Sequence, residues 1–187
     1  MRRLLVSLLA LVVGCGEPLG IRATENVITG ELTLYGFSLA PPSYPSAIIT
    51  FLAQPVPVTP AGNFDVALDI TSDSRITIMP VGTMVLPLTG AHSVGLLRAG
   101  TDFDAVQSAP VGSYVRDSVM TVGIGEVVVI EANRSRPGDI CSFALSPFIY
   151  SKLVVLAADP ESGLLTVRFT ADPNCGFRSF AEGIPRS

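Results

Sequence analysis

The residues best suited to chemistry are few. The chain holds one histidine, His92, and a single histidine excludes a Cys2His2 zinc site and any other two-histidine metal site within one chain. Ser93 follows it directly, but neighbours on a strand point to opposite faces, so the two cannot pair as nucleophile and base. A hydrolase built on His92 would need a distant serine, and none lies in a Gly-x-Ser-x-Gly elbow. His92 is expected in or near the turn after Gly90, with ligand contact as its candidate role. The acidic pairs Asp65 and Asp69, Asp102 and Asp104, and Asp159 and Glu161 lack the spaced oxygens and closing glutamate of an EF-hand loop. They read as outer strand faces and solvated turns, where acids need no further purpose. Gly123-Ile124-Gly125-Glu126 joins two β-rich runs with no amphipathic helix after it, which makes a turn and not a dinucleotide loop. Arg134-Ser135-Arg136 has the charge to hold an anion, but the Pro137-Gly138-Asp139 behind it marks a solvated loop.

The N-terminus carries an address. Arg2 and Arg3 precede an apolar run over residues 4–13, and no acid intervenes before Gly14-Cys15, the arrangement of a secretory signal. A helix of about ten residues covers roughly half of a ~30 Å hydrocarbon core, too little for a permanent span. Val12-Val13-Gly14-Cys15 resembles the lipobox of bacterial lipoproteins. That resemblance implies removal of residues 1–14, a diacylglyceryl thioether on Cys15, and acyl chains that hold the mature protein to a membrane of the bacterial envelope, at its outer membrane or periplasmic face. The alternative is a plain secretory signal in which Cys15 is incidental.

Removing the signal takes the formal charge from −4 to −6, with 10 basic against 16 acidic residues. With one lysine, Lys152, such a surface cannot supply the clustered cations that phosphate neutralisation needs, which argues against nucleic acid. Cys141 and Cys175 remain once Cys15 is set aside, and in an exported chain they are expected to pair. Their spacing is not Cys-x-x-Cys, so the bridge reads as structural and without a redox role.

These residues must be positioned by strands. After a short tether over 16–26, residues 27–187 form short β-rich runs punctuated by Pro, Gly, Asn and Asp. Strands are expected at 28–39, 47–52, 63–70, 75–80, 84–88, 93–98, 114–122, 126–132, 141–145, 150–157 and 164–171. The run at 64–70 alternates Phe64, Val66, Leu68 and Ile70 with Asp65 and Asp69, placing the aspartates on the solvent face. Residues 158–163, with proline early and glycine late, join two strands as a hairpin flanked by the cysteines. The fold class is all-β, a single antiparallel β-sandwich or flattened barrel.

Phe-Asp-Val-Ala at 64–67, Val127-Val128-Val129-Ile130, the run from Tyr150 to Val155 and the closing strand at 164–170 occur in an order similar to the HmuY-like envelope lipoproteins. The resemblance implies a membrane-tethered β-protein and, where the family binds haem, a pair of histidine ligands. This chain departs from that with His92 alone, leaving Met79, Met84 or Met120 as a second axial ligand. The expected function is a non-enzymatic module that binds a small ligand or an envelope partner, or serves as a structural subunit, with no cofactor. An envelope hydrolase using His92 and a haem carrier are the alternatives.

Overall fold

The structure is a computed structural model that describes residues 22–85 and 88–186. The expected signal and Cys15 lie outside those residues. Among the described residues eleven strands build two antiparallel sheets. The first contains β1 (Ile28–Tyr35), β11 (Leu164–Asp172), β10 (Phe148–Asp159), β9 (Val127–Asn133), β6 (Val94–Ala99) and β7 (Val115–Arg116), in that spatial order. The second contains β3 (Gln54–Val56), β2 (Ala47–Ile49), β4 (Val66–Ile70), β5 (Ile76–Pro80) and β8 (Met120–Val122). The sheets do not close on each other, so the fold is a sandwich and not a flattened barrel.

Alternation builds the core between the sheets. Leu165, Val167, Phe169 and Ala171 of β11 and Val128, Ile130 and Ala132 of β9 point inward and meet Ile48, Val66, Leu68, Ile76 and Ile78 of the facing sheet. β9 is apolar at consecutive positions because both of its faces are covered. Val127 and Val129 turn outward with Tyr150 and Val154, and there Phe103, Val106, Ala109 and Phe180 pack over them as a second, smaller cluster. The expected β10–β11 hairpin forms in continuous register with one shift at Val155/Ala157, and Gly163 closes its turn at φ +74°.

Several expectations are corrected. The run at 114–122 is two strands in different sheets: β7 pairs with β6 and β8 with β5. Asp117 breaks it, adopting φ +46° while its carboxylate accepts from Ser93 Oγ and the Val94 amide, a local satisfaction that lets the chain cross from one sheet to the other. Residues 141–145 form turns, not a strand, so Cys141 does not sit in a strand before the hairpin. Among the described residues of 84–88 there is no strand. β3 escapes a sequence reading because Pro55 lies in its middle, tolerated since β3 is the edge of its sheet.

Candidate functional site

One end of the sandwich gathers a cluster of buried polar and charged side chains. Thr50 follows β2, Asp65 precedes β4, His92 precedes β6 and Arg134 follows β9, so four chain segments converge there. Asp65 is fully buried, contrary to its expected place on the solvent face, and Arg134 is 6% exposed, contrary to its expected solvated loop. Asp69, Asp104, Asp159 and Glu161 are not buried. Strand alternation fails for Asp65 because it stands one residue before β4, where the chain turns inward.

The Asp65 carboxylate is saturated with donors. Oδ2 accepts from the Thr50 amide at 2.6 Å and from Thr50 Oγ1 at 2.7 Å. Oδ1 lies 2.6 Å from His92 Nε2 and 2.7 Å from Arg134 Nη2. The Arg134 contact has ion-pair distance without the angle of a hydrogen bond, so Coulomb attraction carries it. Burial alone pushes the Asp65 acid up, but the hydrogen bond from His92 and the charge of Arg134 outweigh it and hold the group down to about 2. A carboxylate so tightly held is a poor proton acceptor at neutral pH. The Arg134 guanidinium also stacks over the Phe51 ring at 5.1 Å and reaches Asp139 Oδ1 at 3.5 Å, tying the loop after β9 to the core.

His92 falls in the expected turn region, but its surroundings are unlike those of a catalytic base. Its side chain is 3% exposed, and Nδ1 sits 3.1 Å from the Gly90 carbonyl while Nε2 faces Asp65. In a hydrolytic triad the imidazole bridges a carboxylate and a nucleophilic hydroxyl. Here it bridges a carboxylate and a backbone carbonyl. Both nitrogens face oxygens, and both contacts are hydrogen bonds only when both nitrogens donate. The Ser93 hydroxyl points elsewhere, to Asp117 at 2.9 Å. Met79, Met84 and Met120 pack against the main core, partly buried. Cys141 and Cys175 are bonded, with Cα atoms 5.7 Å apart.

A second constellation lies on the outer face of the six-stranded sheet. A groove of about 530 Å³ runs between the β10–β11 surface and the segments that cover it, lined among others by Phe103, Asp104, Lys152, Arg168, Thr170 and Phe180. Lys152, the single lysine, is 4% exposed. Its Nζ donates to the Phe103 carbonyl at 2.6 Å and the Val106 carbonyl at 2.9 Å, and lies 4.2 Å from the Phe103 ring centre. Burial lowers its pKa, with the nearby Asp104 charge opposing. An ammonium has three donors, and two carbonyls use two of them. Arg168 also stacks on Phe103, at 4.7 Å, and pairs with the exposed Asp104 at 2.9 Å. Next to the groove, Tyr150 donates to Glu131 at 2.9 Å, and burial together with that carboxylate raises the phenol so far that it stays protonated.

Sequence reasoning missed both constellations. Lys152 had one signal, its rarity; a lone lysine inside an apolar strand is unusual unless its charge is satisfied. Asp65 and Arg134 had none, because their burial follows from where four segments meet. Among the described residues no group of three His, Cys, Asp or Glu side chains could hold a metal. Comparison with known proteins finds no family model, no curated protein and no solved structure that matches this chain.

Proposed function

We propose that this chain is a lipid-anchored, non-catalytic binding module of the bacterial cell envelope, attached through Cys15, and that the Lys152 groove is its ligand site. The observation that carries the binding reading is Lys152 itself. It is a buried ammonium whose two described acceptors are carbonyls, and it lines an open groove with Arg168 and two phenylalanine rings. A buried cation with a spare donor attracts an anion, and aromatic walls favour a ligand with an apolar body. The ligand class is therefore a small organic acid carrying an apolar or aromatic group. The non-catalytic reading is supported by His92, which is locked between Asp65 and Gly90 and serves as an internal pin.

Benzoate and its neutral isostere benzamide test the groove. Benzoate should shift the amide resonances of residues 103–107, 152 and 168 saturably, and benzamide should not. Lys152→Met should weaken benzoate roughly ten-fold or more, the usual value of a hydrogen bond to a charged group. Equal binding of the two probes, or benzoate binding unchanged by Lys152→Met, would refute the assignment. A Soret band on titration with haemin, lost in His92→Ala, would instead favour a haem carrier.

A further inference from the structure

The end of the sandwich at which the described chain begins is also where its most exposed aromatic side chain lies. Phe143 is 100% exposed and Leu145 86%, with Ile140 of the same loop at 45%. The incoming segment is fixed to this end. The amides of Thr24 and Glu25 donate to Asn174 Oδ1, and that of Val27 donates to the Gly183 carbonyl. Arg22 lines a cavity of about 420 Å³ together with Ile140, Leu145 and Cys175. The loop over residues 134–147 is stapled at its base by Arg134 in the buried charge cluster, at its middle by the Cys141–Cys175 bridge, and internally by turn hydrogen bonds such as Ala144 to Cys141. Phe143 and Leu145 are thus held out on a braced support. Apolar groups clustered in that way mark a surface that something covers.

We infer that this tip faces the bilayer, with Phe143 and Leu145 seated in the interfacial layer of the same membrane that holds the acyl chains on Cys15. The inference rests on the lipid-anchor reading. Chain length supports it: the seven residues from Cys15 to Arg22 reach at most ~24 Å when fully extended. The opposite end of the sandwich lies farther away, since a twelve-residue strand such as β10 is itself roughly 36 Å long. The tether therefore keeps the Phe143 tip near the membrane, and it cannot bring the β10–β11 turn there without laying the whole sandwich flat. In the loop that carries Phe143, Arg136 is exposed, where anionic headgroups attract cations, and Asp139 is turned inward toward Arg134; the exposed Glu25 at the cavity mouth leaves the charge of this end mixed. Aromatic side chains favour the headgroup level, with an apolar ring lodged at the boundary.

The chain contains no tryptophan, so a single substitution makes a local reporter. The test uses full-length Phe143→Trp protein and, for reference, Ile124→Trp in the exposed turn between β8 and β9 at the far end. Each is extracted with its lipid and reconstituted into phosphatidylethanolamine–phosphatidylglycerol vesicles, with and without bromine-labelled acyl chains. Both proteins should float with the vesicles. Phe143→Trp emission should shift to the blue and be quenched by the brominated lipid several-fold more than that of Ile124→Trp. Flotation with equally weak quenching of the two overturns the membrane contact and leaves the anchor standing. A blue shift without bromine quenching overturns it in favour of cover by a second copy or an envelope protein. Failure to float overturns anchor and contact together.

Discussion

Asp65→Ala is expected to lower stability by about 3–5 kcal/mol at neutral pH, because it takes the close, fully buried carboxylate from the buried charge of Arg134 and leaves it only Asp139 at 3.5 Å. His92 Nε2 and the Thr50 amide and hydroxyl lose their acceptor in the same step. Equilibrium denaturant unfolding of the protein measures it; a loss below about 1 kcal/mol, typical of a surface position, would mean that the cluster is not the pin described above. The same group predicts an acid limb. The folded Asp65 acid lies near 2 against an ordinary value of 3.8, so the folded state binds its proton less readily than the unfolded state. The stabilisation is present in full above the ordinary value and is lost as pH falls through 3.8 toward 2. Asp65→Asn should remove that limb, leaving a flatter stability profile over the same interval.

Replacing both cysteines, Cys141→Ser with Cys175→Ser, should cost about 2–4 kcal/mol, the usual range for a loop of this size. The bridge closes a separation of 34 residues that contains the whole β10–β11 hairpin. The hairpin itself keeps its ladder to β9 and β1, so the loss should concentrate in the turns of residues 134–147. Hydrogen exchange should show faster opening of those amides while β10 and β11 stay protected. Uniform loss of protection across both strands would show that the staple supports the sheet and not the tip. Reduced quenching of the Phe143→Trp reporter in this double variant would link the brace to membrane seating.

How much of this was readable in the residues differs from element to element. The β10–β11 hairpin was legible because its turn chemistry and its flanking periodicity agree. β9 was legible as a strand from Val127-Val128-Val129-Ile130 alone, but which layers cover its two faces depends on residues 103–109 and on Phe180, distant in sequence. Alternation placed Phe64, Val66 and Leu68 correctly and Asp65 wrongly, since period-2 patterning assigns faces within a strand and says nothing of where a neighbouring segment folds over its end. The burial of Arg134 escapes the sequence for the same reason: Pro137-Gly138 does mark a turn, yet the guanidinium three residues earlier reaches back into the sandwich. The break at Asp117 has a local cause, a left-handed residue whose carboxylate caps the start of β6, that composition does not display. Pairing of Cys141 with Cys175 followed from counting, while the loop it braces emerged only in three dimensions.

The lipid anchor proposed on Cys15 is the premise of both the envelope location proposed for the Lys152 groove and the orientation proposed for the Phe143 tip. Intact-mass measurement of the protein extracted from native membranes tests it most directly. The account predicts a chain that starts at Cys15 and exceeds its polypeptide mass by a diacylglyceryl group, with or without a further acyl chain. A mass equal to that of the bare polypeptide, or one that still includes residues 1–14, contradicts it.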